Sequence, residues 1–314
     1  MTKKAFITGV TGQDGSLLAE FLLGKNYKVY GLARKNSSYK NIEDLLDNKN
    51  FYLIHGDLLN NELLRFCFET HKFNEIYNLA SQSNIRLSYD NPLETFNVTL
   101  MGVVSLLDSV KKYTPNSKVF QAGSSAMFGN SCDSDGYQRE TTLFNPVSPY
   151  ASSKLFAHNL STNYRINNNL FVSNGILYNH ESYKHKNLPG IINTIAKKVI
   201  EIKNNERAAY YIPNLKIELD LGFALDYVEA IWLTLQQPKP EDYIISSGTT
   251  YSIEYICNYL FSKLNMDYKK YIKTDSTVSH FISKGDCTKL KNLGWDPKFN
   301  INKTLDTILH SYEK

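Results

Sequence analysis

A serine, a tyrosine and a lysine in this chain stand at spacings that suit oxidation or reduction of a carbinol carbon. Gly123-Ser124-Ser125-Ala126-Met127-Phe128-Gly129 supplies Ser124, and Tyr150-Ala-Ser-Ser-Lys154 supplies a Tyr-x-x-x-Lys pair. At i and i+4, Tyr150 and Lys154 share one face of a helix. A nearby ammonium favours the phenolate, so a tyrosine whose ordinary pKa is about 10 can serve as a base nearer neutrality. Its task would be to take the proton of a hydroxyl while hydride leaves the same carbon, with Ser124 orienting that hydroxyl. Such a pair also arises by chance in a chain with 22 tyrosines, so its weight comes from following Gly-Ser-Ser.

A hydride needs an acceptor, and the N-terminus offers a place to hold one. Gly9-Val-Thr-Gly12-Gln-Asp-Gly15 follows an apolar run and opens a helical pattern. The first glycine permits a tight turn, the second lets backbone approach a pyrophosphate, and the third lets helix pack on strand. The helix start then faces the anion with unpaired N–H groups. After the second strand the chain reads Gly31-Leu-Ala-Arg34-Lys35, with no acid to hold a ribose 2′-hydroxyl, which favours NADP over NAD. NAD is the alternative, with Arg34 and Lys35 a solvated turn. Asp57, in His55-Gly-Asp-Leu58, is placed to meet the adenine edge.

The elements that must position these groups alternate. Strands are expected at Ala5–Thr8, Tyr27–Leu32, Phe51–His55, Glu75–Leu79 and Lys118–Ala122, with helices at Ser16–Leu23, Asn97–Lys111 and Ala151–Asn167. This spacing argues an α/β doubly wound parallel sheet of Rossmann type. Beyond about residue 175 the pattern becomes mixed: helices at Ile191–Ile202, Ser252–Leu264 and Lys303–Tyr312, and a strand at Tyr243–Ser247. We expect a cofactor domain over residues 1–175, with a strand returning to it near 225–248, and a smaller substrate lobe over 176–314.

Length, 314 residues, and 42% hydrophobic content allow a sizeable core. A net charge of +4 suits an anionic small molecule, without the basic stripe of a nucleic-acid binder. The four cysteines show no metal-ligand spacing. No apolar run approaches the roughly 18 residues of a membrane span, and no signal-like stretch opens the chain. The expectation is a cytoplasmic protein with neither membrane nor nucleic acid as partner.

Longer stretches carry a resemblance. Gly9-Val-Thr-Gly-Gln-Asp-Gly-Ser16, Ile76-Tyr-Asn-Leu-Ala-Ser-Gln-Ser83, Ser148-Pro-Tyr-Ala-Ser-Ser-Lys154, Asn174-Gly-Ile-Leu-Tyr-Asn-His-Glu-Ser182, Asp226-Tyr-Val-Glu-Ala-Ile-Trp-Leu233 and Leu293-Gly-Trp-Asp-Pro297 resemble the extended short-chain dehydrogenase/reductases, and among them the GDP-mannose 4,6-dehydratase family. The resemblance implies a nicotinamide cofactor contacted by Gly9, Thr11, Gly12, Gln13, Asp14, Gly15, Arg34, Asp57, Leu58, Leu79, Ala80, Ser81, Tyr150, Lys154, Leu177 and Asn179. It implies a nucleotide sugar, GDP-linked, contacted by Ser83, Ser124, Ser125, Ala126, Tyr150, Asn179 and Asn214. It also implies a homodimer or a dimer of dimers, paired through the helices at 97–111 and 151–167.

Departures from the family pattern bear on the reaction. The family's Thr-Ser-Glu reads Ser124-Ser125-Ala126, so the glutamate that works at C5 and C6 of the sugar is replaced by alanine. Its Arg-Asp-Trp-Gly reads Leu219-Asp-Leu-Gly222, and its Arg-Pro-Thr-Glu falls in Ser276-Thr-Val-Ser279. The expectation is an oxidoreductase acting at C4 of a GDP-linked manno-configured hexose or heptose, foremost a C4 dehydrogenase. The alternatives are a 4,6-dehydratase with a displaced carboxylate such as Glu140 or Glu181, a 4-epimerase or 4-reductase, and a catalytically silent cofactor-binding paralogue.

Overall fold

The computed structural model describes residues 2–184, 190–205, 209–275 and 282–313. Short, largely buried runs form β1 (Lys4–Thr8), β2 (Lys28–Ala33), β3 (Phe51–His55), β4 (Glu75–Asn78), β5 (Lys118–Ala122) and β6 (Val172–Leu177). With β10 (Asp242–Ile245) they make a sheet in the order β10-β6-β5-β4-β1-β2-β3, every pairing parallel. The order reverses between β1 and β4, which opens a crevice at the C-terminal ends of the strands where α/β sheets bind ligands.

Helices cover both faces. On one lies α1 (Gln13–Gly24); on the other lie α2 (Asn61–His71), α3 (Ile85–Asp90), α4 (Pro92–Phe96), α5 (Gly102–Tyr113) and α6 (Pro149–Asn167). The first core joins Leu17, Leu18 and Leu22 of α1 to Val228 and Ile231. The second joins Leu64 and Phe68 of α2 to Val103, Leu106 and Val110 of α5 and Ala157 of α6.

The C-terminal part carries α7 (Ile191–Asn204), α8 (Ala224–Leu235), α9 (Ile253–Lys263), α10 (Thr288–Lys291) and α11 (Ile301–Glu313). Its strands are β7 (Asn179–Glu181), β8 (Tyr210–Tyr211), β9 (Glu218–Phe223), β11 (Thr250–Ser252), β12 (Ile272–Lys273) and β13 (Ile282–Ser283). β7, β9, β11 and β13 form a small mixed sheet, and β8 pairs with β12. A third core packs Ile195 and Val199 of α7 against Ile256 and Leu260 of α9 and Leu305 and Ile308 of α11. α8 instead packs on α1, so it serves the first core.

Several boundaries differ from expectation for physical reasons. β4 stops at Asn78 because the N–H groups of Leu79 and Ala80 turn to donate to Thr8 Oγ1, each at 3.1 Å. β6 was not expected as a strand, since Ser173, Asn174 and Gly175 interrupt its apolar run, yet all three are buried. The helix expected at 97–111 begins at Pro92 and passes a widened turn at Asn97–Met101 before α5. That stretch, Pro92–Tyr113, is long and apolar enough to cross a membrane by length and composition alone. This corrects the sequence expectation, but its Val103, Leu106, Leu107 and Val110 lie in the second core, as a core helix requires.

Candidate active site

Local backbone chemistry shapes the crevice. Gly9 adopts φ +70°, and a Cβ there would meet the Ala80 backbone at 3.0 Å. Gly12 N–H donates to the Gly9 carbonyl at 3.0 Å, closing the turn. A Cβ on Gly15 would meet the Gly9 carbonyl oxygen at 2.2 Å, so α1 can start this close to β1 only with glycine. α1 therefore begins at Gln13 rather than Ser16, immediately after Gly12, with its first N–H groups facing the crevice.

A cavity of about 830 Å³ fills the crevice. It runs from Arg34, Ser37, Ser38, Asn41 and Asp57, past the glycine turn, to Ser124, Ser125, Tyr150 and Lys154. Leu58, Leu79, Ala80, Ser81, Ser83, Leu177 and Asn179 line it too, as do Thr11, Gln13, Asp14 and His180. Length, glycine cradle and helix start fit an extended dinucleotide.

At its inner end, Ser148 caps α6 by accepting the Ala151 N–H at 3.1 Å, and Pro149 takes the first turn. That cap sets Tyr150 and Lys154, one turn apart, with only 8% and 4% of their surfaces exposed. Lys154 Nζ lies 5.9 Å from the centre of the Tyr150 ring and donates to the Ala122 carbonyl at 3.0 Å. Burial pushes the Tyr150 phenol above its usual range, against the hydrogen bond from Ser124, while the charge of Asp14 adds to the rise. The same burial lowers Lys154 to about 8, with Asp14 opposing. At the phenol desolvation is the largest effect, and the hydrogen bond with Ser124 is the contribution that favours the phenolate.

Two expected substrate contacts are not among the residues lining this cavity. Ala126 sits in the helical turn Ser125–Phe128 and donates its N–H to Ser124 Oγ at 3.2 Å. Asn214 lies in the smaller lobe, where its Oδ1 accepts the Lys216 N–H at 2.8 Å. Neither displaced-carboxylate candidate lines the cavity. Glu140 accepts the Ile244 N–H at 2.9 Å beside the sheet edge. Glu181 is consumed as the cap of α7, accepting from the N–H groups of Ile192 and Asn193, each at 2.8 Å. Ser276–Ser279 lies outside the described residues.

Sequence reasoning missed the straps across the cavity rim. His180 pairs with Asp14 at 3.0 Å, and Ser182 donates to Gln13 Oε1 at 3.0 Å. Lys184 is ion-paired with Glu20 and donates to the Asn41 carbonyl at 2.8 Å. The partners stand over a hundred residues apart, so no local spacing announces them.

A doubly wound sheet with a glycine turn at its switch point and a Ser/Tyr/Lys group in the same cavity defines an extended short-chain dehydrogenase/reductase. The family model "GDP-mannose 4,6 dehydratase" matches residues 6–308, and the chain belongs to that family. GDP-mannose 4,6 dehydratase 2 of Arabidopsis thaliana is 39% identical over 325 residues, covering 98% of this chain and 86% of the relative. The dTDP-glucose 4,6-dehydratase of Bacillus anthracis in complex with NAD superposes with a TM-score of 0.86 at 23% identity, over 99% of this chain and 97% of that one. RMD of Pseudomonas aeruginosa complexed with NADPH gives 0.82 at 20% identity, over 99% of both chains. The protein is thus a nicotinamide-dependent enzyme of nucleotide-sugar chemistry in the GDP-mannose dehydratase group.

Proposed function

We propose that this protein transfers hydride between C4 of a GDP-linked manno-configured hexose or heptose and NADP in the cytoplasm, as a C4 dehydrogenase. The observation that carries the reading is a complete Ser124–Tyr150–Lys154 group beside an alanine at position 126. When bound, the nicotinamide accepts or returns the hydride. Tyr150 takes the proton from the C4 hydroxyl, Ser124 holds that hydroxyl, and Lys154, tied to Ala122, positions the cofactor ribose and keeps a positive charge near the phenol.

Loss of water would further require a group to remove the C5 proton and protonate the C6 hydroxyl. Asp14 and Asp57 are the carboxylates among the described lining residues. Asp14 is paired with His180, and Asp57 accepts the Leu59 N–H at 2.9 Å on the adenosine side. His180 has both ring nitrogens engaged, which removes it as the base. The second reading, 4,6-dehydration, is supported by the family match itself and by relatives named for that reaction.

Mass analysis of products from GDP-mannose and a GDP-manno-heptose separates the two. We expect loss of two hydrogens at C4 with water retained; rapid formation of a 4-keto-6-deoxy sugar would overturn the dehydrogenase reading. We further propose a dimer paired through α5 and α6 and the turns beside them. Leu93, Met101, Phe156 and Ile166 leave an apolar face exposed there, and sedimentation as a monomer at micromolar concentration would count against it.

A further inference from the structure

Asp14 stands inside the glycine turn, where a carboxylate opposes the approach of a diphosphate. The structure pairs it: His180 Nε2 lies 3.0 Å from Asp14 Oδ2. The other ring nitrogen, Nδ1, lies 2.6 Å from the Tyr178 carbonyl oxygen. A carboxylate and a carbonyl only accept, so both contacts are hydrogen bonds only if both ring nitrogens carry protons. The geometry therefore calls for an imidazolium. Gln13 seals the arrangement, donating to Asp14 Oδ1 at 3.0 Å and to the His180 carbonyl at 3.2 Å.

The surroundings agree. His180 is stacked on Tyr227 of α8, with ring centres 4.3 Å apart. Burial works against its charge, but Asp14, the Tyr178 carbonyl and the neighbouring Glu181 outweigh burial and raise its pKa above the ordinary 6.5. Tyr150 and Lys154 also lie within reach of the field of Asp14. Glu181 is already satisfied by the start of α7, and Tyr227 stays neutral as burial holds its phenol up. Asp14 and His180 are thus the pair whose charges must balance at the turn.

We propose that His180 is a positioning residue for the cofactor: as an imidazolium it neutralises Asp14, which keeps the turn receptive to a diphosphate and ties cofactor affinity to the strand that also bears Asn179. This rests on the nicotinamide cofactor and not on the sugar proposed above, because its readout is cofactor binding without any sugar.

The test is calorimetric titration of NADP, with NAD in parallel, into the nucleotide-stripped full chain between pH 6 and 9. Wild type should bind about tenfold more weakly once His180 loses its proton, the scale of one uncompensated charge a few ångström from the diphosphate. His180→Gln should already show that weak binding at pH 6, with a flat profile. Asp14→Asn should bind at least as tightly as wild type, also without the pH dependence. The double variant should return to within about threefold of Asp14→Asn, since no charge is left to neutralise. A double variant as weak as His180→Gln would overturn the proposal, because loss of packing would not be rescued. Should His180→Gln fail to fold, Asp14→Asn carries the test: weaker binding than wild type, or a persisting pH dependence, also overturns it.

Discussion

Lys154 Nζ and the Ala122 carbonyl oxygen are 3.0 Å apart, and that bond ends a polar chain running under the crevice. Thr8 Oγ1 donates to Asn78 Oδ1 at 2.6 Å, and Asn78 Nδ2 donates to Gln121 Oε1 at 2.7 Å. Gln121 Nε2 then donates to the same Ala122 carbonyl at 3.1 Å. The chain ties the ends of β1, β4 and β5 together at the point where the sheet order reverses. The lysine is thus held by the sheet, an arrangement that suits the substrate-facing role proposed above for the tyrosine.

Tyr150→Phe should lower hydride transfer by about 10²–10⁴-fold while cofactor stays bound, because only the proton acceptor is lost. Lys154→Ala should be comparably damaging and should also weaken the cofactor. Burial raises the phenol, so wild-type oxidation should climb as pH rises through the alkaline range, and Tyr150→Phe should lose that climb. Stopped-flow absorbance of the reduced nicotinamide reads both rate and profile. Wild-type turnover in Tyr150→Phe would remove the tyrosine from its role.

Arg34 lines the cavity beside Ser37, Ser38 and Asn41, whereas Lys35 does not line it. If a 2′-phosphate sits there, Arg34 grips it through two donors, so Arg34→Ala should cost NADP about tenfold and NAD little. Nucleotide extracted from the purified protein checks this directly. Recovery of NAD(H) alone would end the NADP preference and leave the hydride chemistry standing.

Asp242 of β10 is held by α6: Arg165 Nη1 donates to its Oδ1 at 2.9 Å, and His158 Nε2 lies 3.4 Å from Oδ2. Burial would raise its pKa, but His158 and Arg165 together bring it well below the usual carboxylate range. A carboxyl depressed in the folded state contributes stability in full above its unfolded pKa of about 3.9, and that stability is lost as pH falls below it. Asp242→Asn should therefore cost about 2 kcal/mol at pH 7, with a part of that gone by pH 3 and the rest lost only as pH falls on through the depressed folded-state pKa. Urea melts at the two pH values measure the difference.

Much of the cofactor half was legible because local backbone demands left marks in the residues. Ala5–Ile7 and Val119–Phe120 lie buried in strands covered on both faces of a parallel sheet, so they read as short apolar runs. Gly9 and Gly15 are glycine because no Cβ fits. β6 was not legible, since its buried Asn174 looks like a loop residue until Thr162 and Asp242 are seen bonded to its amide. The Asp14–His180 pair joins positions 166 residues apart, and only the folded chain brings them together.

The place of β10 has a consequence for how the chain is made. The large sheet takes its last strand from residues 242–245, after the whole of β7 to β9 has been synthesised. Until then β6 offers an open edge, and Arg165 and Asn174 await the carboxylate of Asp242. A nascent chain halted before this strand exposes a sticky parallel edge. The nucleotide-binding half should therefore mature late on the ribosome, and truncations that end before residue 242 should aggregate even though every glycine of the turn is present.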